Sequence, residues 1–107
     1  MAKFLVQATY TAEGLKGLKK ETAVGRRKAI ENVAKSLGGK LDSVHFALGE
    51  YDVIIILDFP NTVSAAAAAL AAGSSGFIRP KTTALLTPEE TDEAFKMSTG
   101  FKAPGQA

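Results

Sequence analysis

Two ionisable side chains near the middle of this 107-residue sequence have types and spacing that suit chemistry, His45 and Asp52. The sequence predicts a hairpin in which they are diagonal neighbours, so the carboxylate would orient the imidazole ring as a general base or a ligand-binding group requires. An ordinary interface or solvent-facing pair is the alternative interpretation. We therefore name both as candidate ligand-binding residues and assign no catalytic residue.

Three further side chains complete the predicted ligand-binding set. Tyr51 lies at the hairpin end, where it is either a binding group or a core aromatic whose hydroxyl reaches an edge partner. Arg26 precedes Ile30 in the apolar stripe of a predicted helix, so it either extends past apolar surface to water, bonds a carboxylate of a neighbouring chain or binds an anionic ligand. Arg79 on the last predicted strand either binds an anion or guards a sheet edge against aggregation.

The composition excludes several classes of function. With one histidine and no cysteine, the chain is predicted to hold no transition metal and no cofactor. The phosphate loops G-x-x-x-x-G-K-[ST] and G-x-G-x-x-G and the nucleophile elbow G-x-S-x-G are absent from the sequence. A formal charge of +2, with acids mixed into the basic stretch, predicts no nucleic-acid partner. No apolar stretch approaches the ~20 residues of a membrane span, so we predict no membrane contact. The lack of cysteine and of an export signal at the start predicts a cytoplasmic location.

Apolar alternation and turn signals predict the elements that position these side chains. In chain order they are a strand over Lys3–Tyr10, a turn or weak helical lead-in over Thr11–Thr22, a helix through Ile30 that ends at Gly38, strands over Leu41–Leu48 and Tyr51–Phe59, a helix over Val63–Ala72, a strand over Phe77–Leu86 and a short acidic helix over Pro88–Met97. Gly49-Glu50 forms a two-residue hairpin loop between the second and third strands. Asn61 caps the helix that follows, and Pro80 places the last strand at a sheet edge.

The order β-α-β-β-α-β predicts a ferredoxin-like α+β fold, an antiparallel four-stranded sheet with two helices on one face. We assign the domain to residues 1–95 and a flexible C-terminal tail to residues 96–107. The alanine run from Ala65 to Ala69 predicts a thin helix that lies close to the sheet.

The hairpin register divides the side chains between two faces of the sheet. The apolar set, which the helices should cover, is Val44, Phe46, Leu48, Tyr51, Val53, Ile55, Leu57 and Phe59. The other face places His45 and Asp52 around an apolar centre formed by Leu5, Ile54, Ile56 and Leu85. A soluble monomer rarely leaves such a patch exposed, so we expect a second copy to cover it and to form a homo-oligomer, a dimeric α/β barrel.

The segment Gly49-Glu50-Tyr51-Asp52 resembles the signature after which the GYD domain family of small bacterial proteins is named. Tyr10 to Leu18, Leu37-Gly38-Gly39-Lys40 and the alanine-rich helix with its glycine turn are also similar to that family, and the likeness covers roughly Lys3 to Glu93. Pro80 departs from the family's more polar last strand. The resemblance implies a ferredoxin-like, oligomeric fold, and it brings no reaction, ligand or catalytic residue with it.

Three functions remain open on the sequence. The first is a binding or sensing module that holds a compact small molecule, anionic in one version, in a cavity between subunits near His45, Asp52 and Arg79. The second is a structural assembly module. The third, by fold analogy alone, is a cofactor-independent isomerase or monooxygenase that uses His45 or Asp52 as its base.

Overall fold

Eight regular elements follow one another along the computed structural model, which describes residues 1–106. They are β1 (Ala2–Tyr10), α1 (Ala12–Glu21), α2 (Ala23–Ser36), β2 (Lys40–Phe46), β3 (Val53–Phe59), α3 (Thr62–Ser74), β4 (Ile78–Leu85) and α4 (Pro88–Phe95). The last residue of the predicted tail, Ala107, lies outside the described residues.

The four strands form one antiparallel sheet in the spatial order β2-β3-β1-β4. This α+β arrangement is consistent with the predicted ferredoxin-like fold. Pro80 lies in β4, an edge strand, as the sequence predicts, because a residue without an N–H is tolerated where the strand has no outer neighbour. Helices α2 and α3 pack on the face that carries Phe4, Ala8 and Val53.

The prediction for the hairpin is correct in register and wrong in its loop. His45 pairs with Ile54, as predicted, but the strands end at Phe46 and Val53, so the connection runs over residues 47–52 instead of two residues. Asp52 is nevertheless fixed on both sides: its carbonyl accepts the Ala47 N–H at 2.8 Å, its carboxylate accepts the Tyr10 N–H at 2.9 Å, and its own N–H donates to Ala8 at 2.9 Å. The last two bonds hold the start of β3 against β1.

Two residues near the hairpin loop leave the predicted apolar face, and one of them is Phe46, which is 40% exposed instead of covered by the helices. Leu48 is fully exposed at 105% of its reference area, so its assignment to the helix-covered side is wrong. A second irregularity, a bulge between Leu41 and Ser43, shifts the pairing at the start of β2. The prediction holds for β3, where Val53, Ile55 and Leu57 are all buried beneath the helices.

The segment predicted as a turn or lead-in, Thr11–Thr22, contains the full helix α1. Thr11 Oγ1 caps this helix by accepting the Gly14 N–H at 3.2 Å. Gly14 is required by packing, because a Cβ at this position would lie 2.0 Å from the carbonyl oxygen of Phe77. The glycine that lowers helix propensity therefore marks a close approach between α1 and the start of β4.

The boundary between α1 and α2 is sharp, because Thr22 has a φ of 78°. Thr22 Oγ1 also caps α2 by accepting the Gly25 N–H at 3.1 Å. Helix α2 ends at Ser36, and Gly38, the predicted stop, follows its C-cap with a φ of +76°. Asn61 caps α3, as predicted, with its Oδ1 2.9 Å from the Ser64 nitrogen.

The C-terminal arm, which we define as residues 86–106, extends away from the sheet and its helices. Its helix α4 begins with a capping box, in which Thr87 Oγ1 accepts the Glu90 N–H at 3.0 Å and the Glu90 carboxylate accepts the Thr87 N–H at 2.9 Å. No residue of α4 is buried. The described chain consequently measures 59 × 31 × 23 Å, with one long dimension.

Candidate functional site

A cavity of about 550 Å³ lies on the helix side of the sheet. It lies between α1 and α2 on one side and α3 on the other, above β1, β3 and β4. Its floor and walls are mainly apolar and include Val6, Ile30, Ile55, Leu57, Phe59, Ala65, Ala68, Ala72, Ile78 and Pro80. We call this space the helix-side cavity.

The composition of α3 explains why this space is open. The helix lies close to the sheet, as its alanine run predicts, with Ala65 buried in the core. Ala68, Ala69 and Ala72 also face the cavity, and their methyl groups are too short to fill the distance to α1 and α2. A longer side chain at these positions would be expected to fill the cavity, since protein interiors normally pack without such voids.

Tyr10, Arg26 and Glu21 lie together along the wall of this mainly apolar cavity, whose other polar lining residues are Glu13, Ser75 and Thr82. The Arg26 guanidinium binds both oxygens of the Glu21 carboxylate, with Nε 2.6 Å from Oε1 and Nη2 2.9 Å from Oε2. Glu21 ends α1 and Arg26 lies in the first turn of α2, so the ion pair spans the sharp boundary at Thr22. The two helices are thereby joined beside the cavity.

The Tyr10 hydroxyl oxygen is buried, and it has no hydrogen-bond partner in residues 1–106. Burial raises the pKa of this phenol, Arg26 lowers it, and the carboxylates of Glu21 and Asp52 raise it further. The group therefore stays protonated at neutral pH and can donate one hydrogen bond. A buried polar group left without a partner costs about 1–3 kcal/mol, so the site is suited to a ligand that supplies one.

The structure separates the residues that the sequence assigned to one ligand site. Arg26 lines the helix-side cavity, where it binds Glu21 of its own chain. The Asp52 carboxylate accepts the backbone N–H of Tyr10 and so fixes the position of this cavity-lining residue. Tyr51 is half-buried in the hairpin loop. His45 and Arg79 are exposed on β2 and β4, the two opposite edges of the sheet, and within residues 1–106 their side chains make no hydrogen bond or ion pair.

The sequence interpretation missed Tyr10 and Glu21. A signal for Tyr10 was present, since it alternates with Phe4, Val6 and Ala8 and thus places a hydroxyl on the covered apolar face. Glu21 carried no such signal, because its position depends on α1, which the two glycines of that segment obscured.

The opposite face of the sheet has no covering element in residues 1–106. Leu5, Ile54, Ile56 and Leu85 are partly exposed there. At one end of this face Lys3 Nζ lies 2.9 Å from Asp42 Oδ2 and 3.2 Å from Asp58 Oδ1. Asp58 is only 7% exposed, so its negative charge depends on Lys3 for a partner. We call this surface the open face.

Within residues 1–106, no group of three or more His, Asp or Glu side chains is placed to hold a metal ion. No helix in this part of the chain is both long and apolar enough to cross a membrane.

An α+β domain with one covered face, one open face and an apolar helix-side cavity is thus defined. The sequence model of the GYD domain matches residues 4–95, so the chain belongs to the GYD domain family. No curated protein and no solved structure matches the chain.

Proposed function

We propose that this GYD domain is a small-molecule-binding module whose ligand occupies the helix-side cavity. The observation that carries the proposal is the Tyr10 hydroxyl, a buried donor that has no hydrogen-bond partner in residues 1–106 and lies beside a mainly apolar space of about 550 Å³. Ligand sites in proteins commonly combine an apolar lining with a few fixed polar groups. This location replaces the cavity between subunits as the first candidate.

The charges near Tyr10 favour a neutral ligand. The positive charge of Arg26 is already balanced by Glu21, and Glu13, which also lines the cavity, pairs with Lys16 at 3.5 Å. A carboxylate ligand would therefore find no free cation among the lining residues and would have to displace Glu21 from Arg26. A mostly apolar molecule with one neutral acceptor, such as a ketone or amide carbonyl, would instead accept the Tyr10 O–H without disturbing the ion pair.

Three isosteric probes test the ligand class: acetophenone with a neutral carbonyl, ethylbenzene with none and benzoate with a charge. A ligand at about ten times its Kd should raise the free energy of unfolding by about 1.4 kcal/mol. We expect acetophenone to stabilise the protein at lower concentration than ethylbenzene, and benzoate to have no effect. An equal response to benzoate and acetophenone would contradict a neutral-ligand site.

The chain offers a matched pair of variants, because Tyr10 and Tyr51 are its two tyrosines. Tyr10→Phe should lower the affinity for acetophenone about threefold to tenfold, the value of one hydrogen bond, and should leave ethylbenzene unchanged. Tyr51→Phe should bind both probes as the wild type does. If the two variants behave alike, the hydroxyl of Tyr10 is not the binding group.

We propose a second role, assembly of two copies through the open face. It is favoured by the partly exposed apolar side chains of that face and by the C-terminal arm, which does not cover them. Such a dimer would enclose His45 and Arg79, so the anionic-ligand and general-base hypotheses for these residues depend on it. In sedimentation, Ile54→Lys should reduce the mass of the wild-type species, whereas Leu48→Lys in the exposed loop should not. A wild type that sediments as a monomer would contradict this second role.

A further inference from the structure

A second concave surface, of about 490 Å³, lies between α2 and the edge strand β2. We call it the edge groove. Its α2 side presents Arg27, Glu31 and Lys35, and its β2 side presents Lys40, Asp42, Ser43 and His45 around the apolar side chains of Leu41 and Val44. None of these residues lines the helix-side cavity, so the two concave surfaces are independent.

The edge groove carries an excess of positive charge. Within residues 1–106, Arg27, Lys35 and Lys40 form no ion pair. Asp42 lies 2.9 Å from Lys3 and shares that single positive charge with Asp58. The three cations that line the groove therefore face two acids, Glu31 and Asp42, of which Asp42 is partly balanced by Lys3.

The C-terminal arm has the opposite character. Its helix α4 carries four acids and no base, namely Glu89, Glu90, Asp92 and Glu93. The arm also exposes large apolar side chains, with Phe95 82%, Met97 70% and Phe101 79% accessible. A helix that is well capped at its start and yet has none of its residues buried by the rest of residues 1–106 is suited to bind elsewhere.

We propose that α4 of one chain lies in the edge groove of a second copy. Its acids face Arg27, Lys35 and Lys40, and Phe95 covers the apolar floor formed by Leu41 and Val44. Charge complementarity of this kind orients the partners and speeds their encounter more than it raises affinity. The apolar contact supplies the desolvated centre that the charged rim surrounds.

The topology favours a second copy over the same chain. The arm leaves the sheet from β4, whereas the edge groove lies beside β2 at the other edge. Three strand spacings, about 14 Å across the sheet, separate these edges. The arm of one chain therefore begins at the side of the sheet farthest from its own edge groove.

The absence of cysteine from the sequence allows a direct test by disulfide capture. Glu93→Cys places a thiol on the arm, and Lys35→Cys places one in the edge groove. The two full-length variants are mixed and oxidised mildly, with Lys19→Cys on α1, outside the groove, as the matched control. We expect the Glu93→Cys chain to join the Lys35→Cys chain in several times the yield of its joining to Lys19→Cys.

Equal yields with Lys35→Cys and Lys19→Cys would overturn the proposal. So would a double variant, Glu93→Cys with Lys35→Cys, that closes its disulfide within one chain at high dilution, because the arm would then occupy its own groove. Circular dichroism of each single variant confirms that the fold is retained.

A charge exchange tests the chemistry of the same contact. In the Glu93→Cys by Lys35→Cys pair, adding Arg27→Glu to the groove chain should lower the yield several-fold, and adding Glu89→Arg to the arm chain should restore it. The yield should also fall as salt is added, since partly exposed charges are screened. A yield that is indifferent to both charge reversals would contradict the assignment. The test involves no cavity ligand, so its failure would leave the proposed function untouched.

Discussion

The two faces of the sheet carry similar apolar residues, but these residues are buried on one face and partly exposed on the other. Ile54 and Ile55 are neighbours in β3, yet Ile55 is buried above the helix-side cavity and Ile54 is partly exposed on the open face. The covered face contains the core and the helix-side cavity, because the short alanine side chains of α3 pack against it. The open face carries the charged cluster of Lys3, Asp42 and Asp58. Apolar content alone therefore does not say which face of a sheet can hold a ligand.

The largest contrast should appear in stability. Phe4 is buried against Phe59, with ring centroids 5.9 Å apart, whereas its neighbour Leu5 lies on the open face. Phe4→Ala should lower the free energy of unfolding by about 3–5 kcal/mol. Leu5→Ala should cost less than half as much in urea denaturation at low protein concentration. Equal losses would mean that the open face is as buried in solution as the covered one.

Strand parity is the part of the fold that the sequence predicts best. Once His45 was paired with Ile54, the assignment of β3 side chains to two faces followed, and the structure bears it out. The loop was predicted too short: the regular pairing ends at Phe46 and Val53, and Asp52 accepts a hydrogen bond from Tyr10, a residue far from it in sequence. Turn signals do not contain such contacts.

The candidate site was predicted less well, because it depends on distances between elements. Arg26 was identified as unusual in an apolar stripe, but its partner Glu21 could be found only once α1 was in place. The cavity itself depends on how far α3 lies from α1 and α2, which no periodicity encodes. Tyr10 could have been found from its parity alone.

A glycine pair on α1 tests the walls of the helix-side cavity. At Gly14 a Cβ would meet the Phe77 carbonyl oxygen at 2.0 Å, whereas at Gly17 it would meet nothing within 4 Å. Gly14→Ala should therefore destabilise the protein by about 1–3 kcal/mol, as overpacking does. Gly17→Ala should stabilise it by up to about 1 kcal/mol, since alanine is the better helix former. Thermal denaturation of both variants measures the difference, and equal signs would contradict the close approach.

Removal of the unpartnered hydroxyl should raise stability slightly. Tyr10→Phe deletes a buried group that has no hydrogen bond, so we expect the ligand-free protein to gain about 1 kcal/mol. Tyr51→Phe, in the half-buried loop, should change the free energy of unfolding by less. A loss of stability in Tyr10→Phe would show that the hydroxyl has a partner in solution.

The smallest expected effect is a pH dependence on the open face. The hydrogen bond from Lys3, and then its charge, lower the pKa of Asp42 below the ordinary value of 3.8. A carboxyl whose pKa is lower in the folded state contributes stability above its unfolded pKa and loses it as the pH falls through the folded value. In Asp42→Asn, the free energy of unfolding should therefore fall slightly less steeply with decreasing pH below about pH 4 than it does in the wild type. Near neutral pH, the two proteins should show nearly the same pH dependence. An unchanged acid limb would mean that Lys3 does not hold Asp42 in solution.

The five isoleucines of the chain provide the most direct test of where a ligand binds. Ile30, Ile55 and Ile78 line the helix-side cavity, while Ile54 and Ile56 lie on the open face. In a protein labelled at the isoleucine δ-methyl groups, titration with acetophenone should shift the first three resonances and leave the other two in place. Shifts confined to Ile54 and Ile56, or no shift in the first three, would contradict a binding site on the helix side of the sheet.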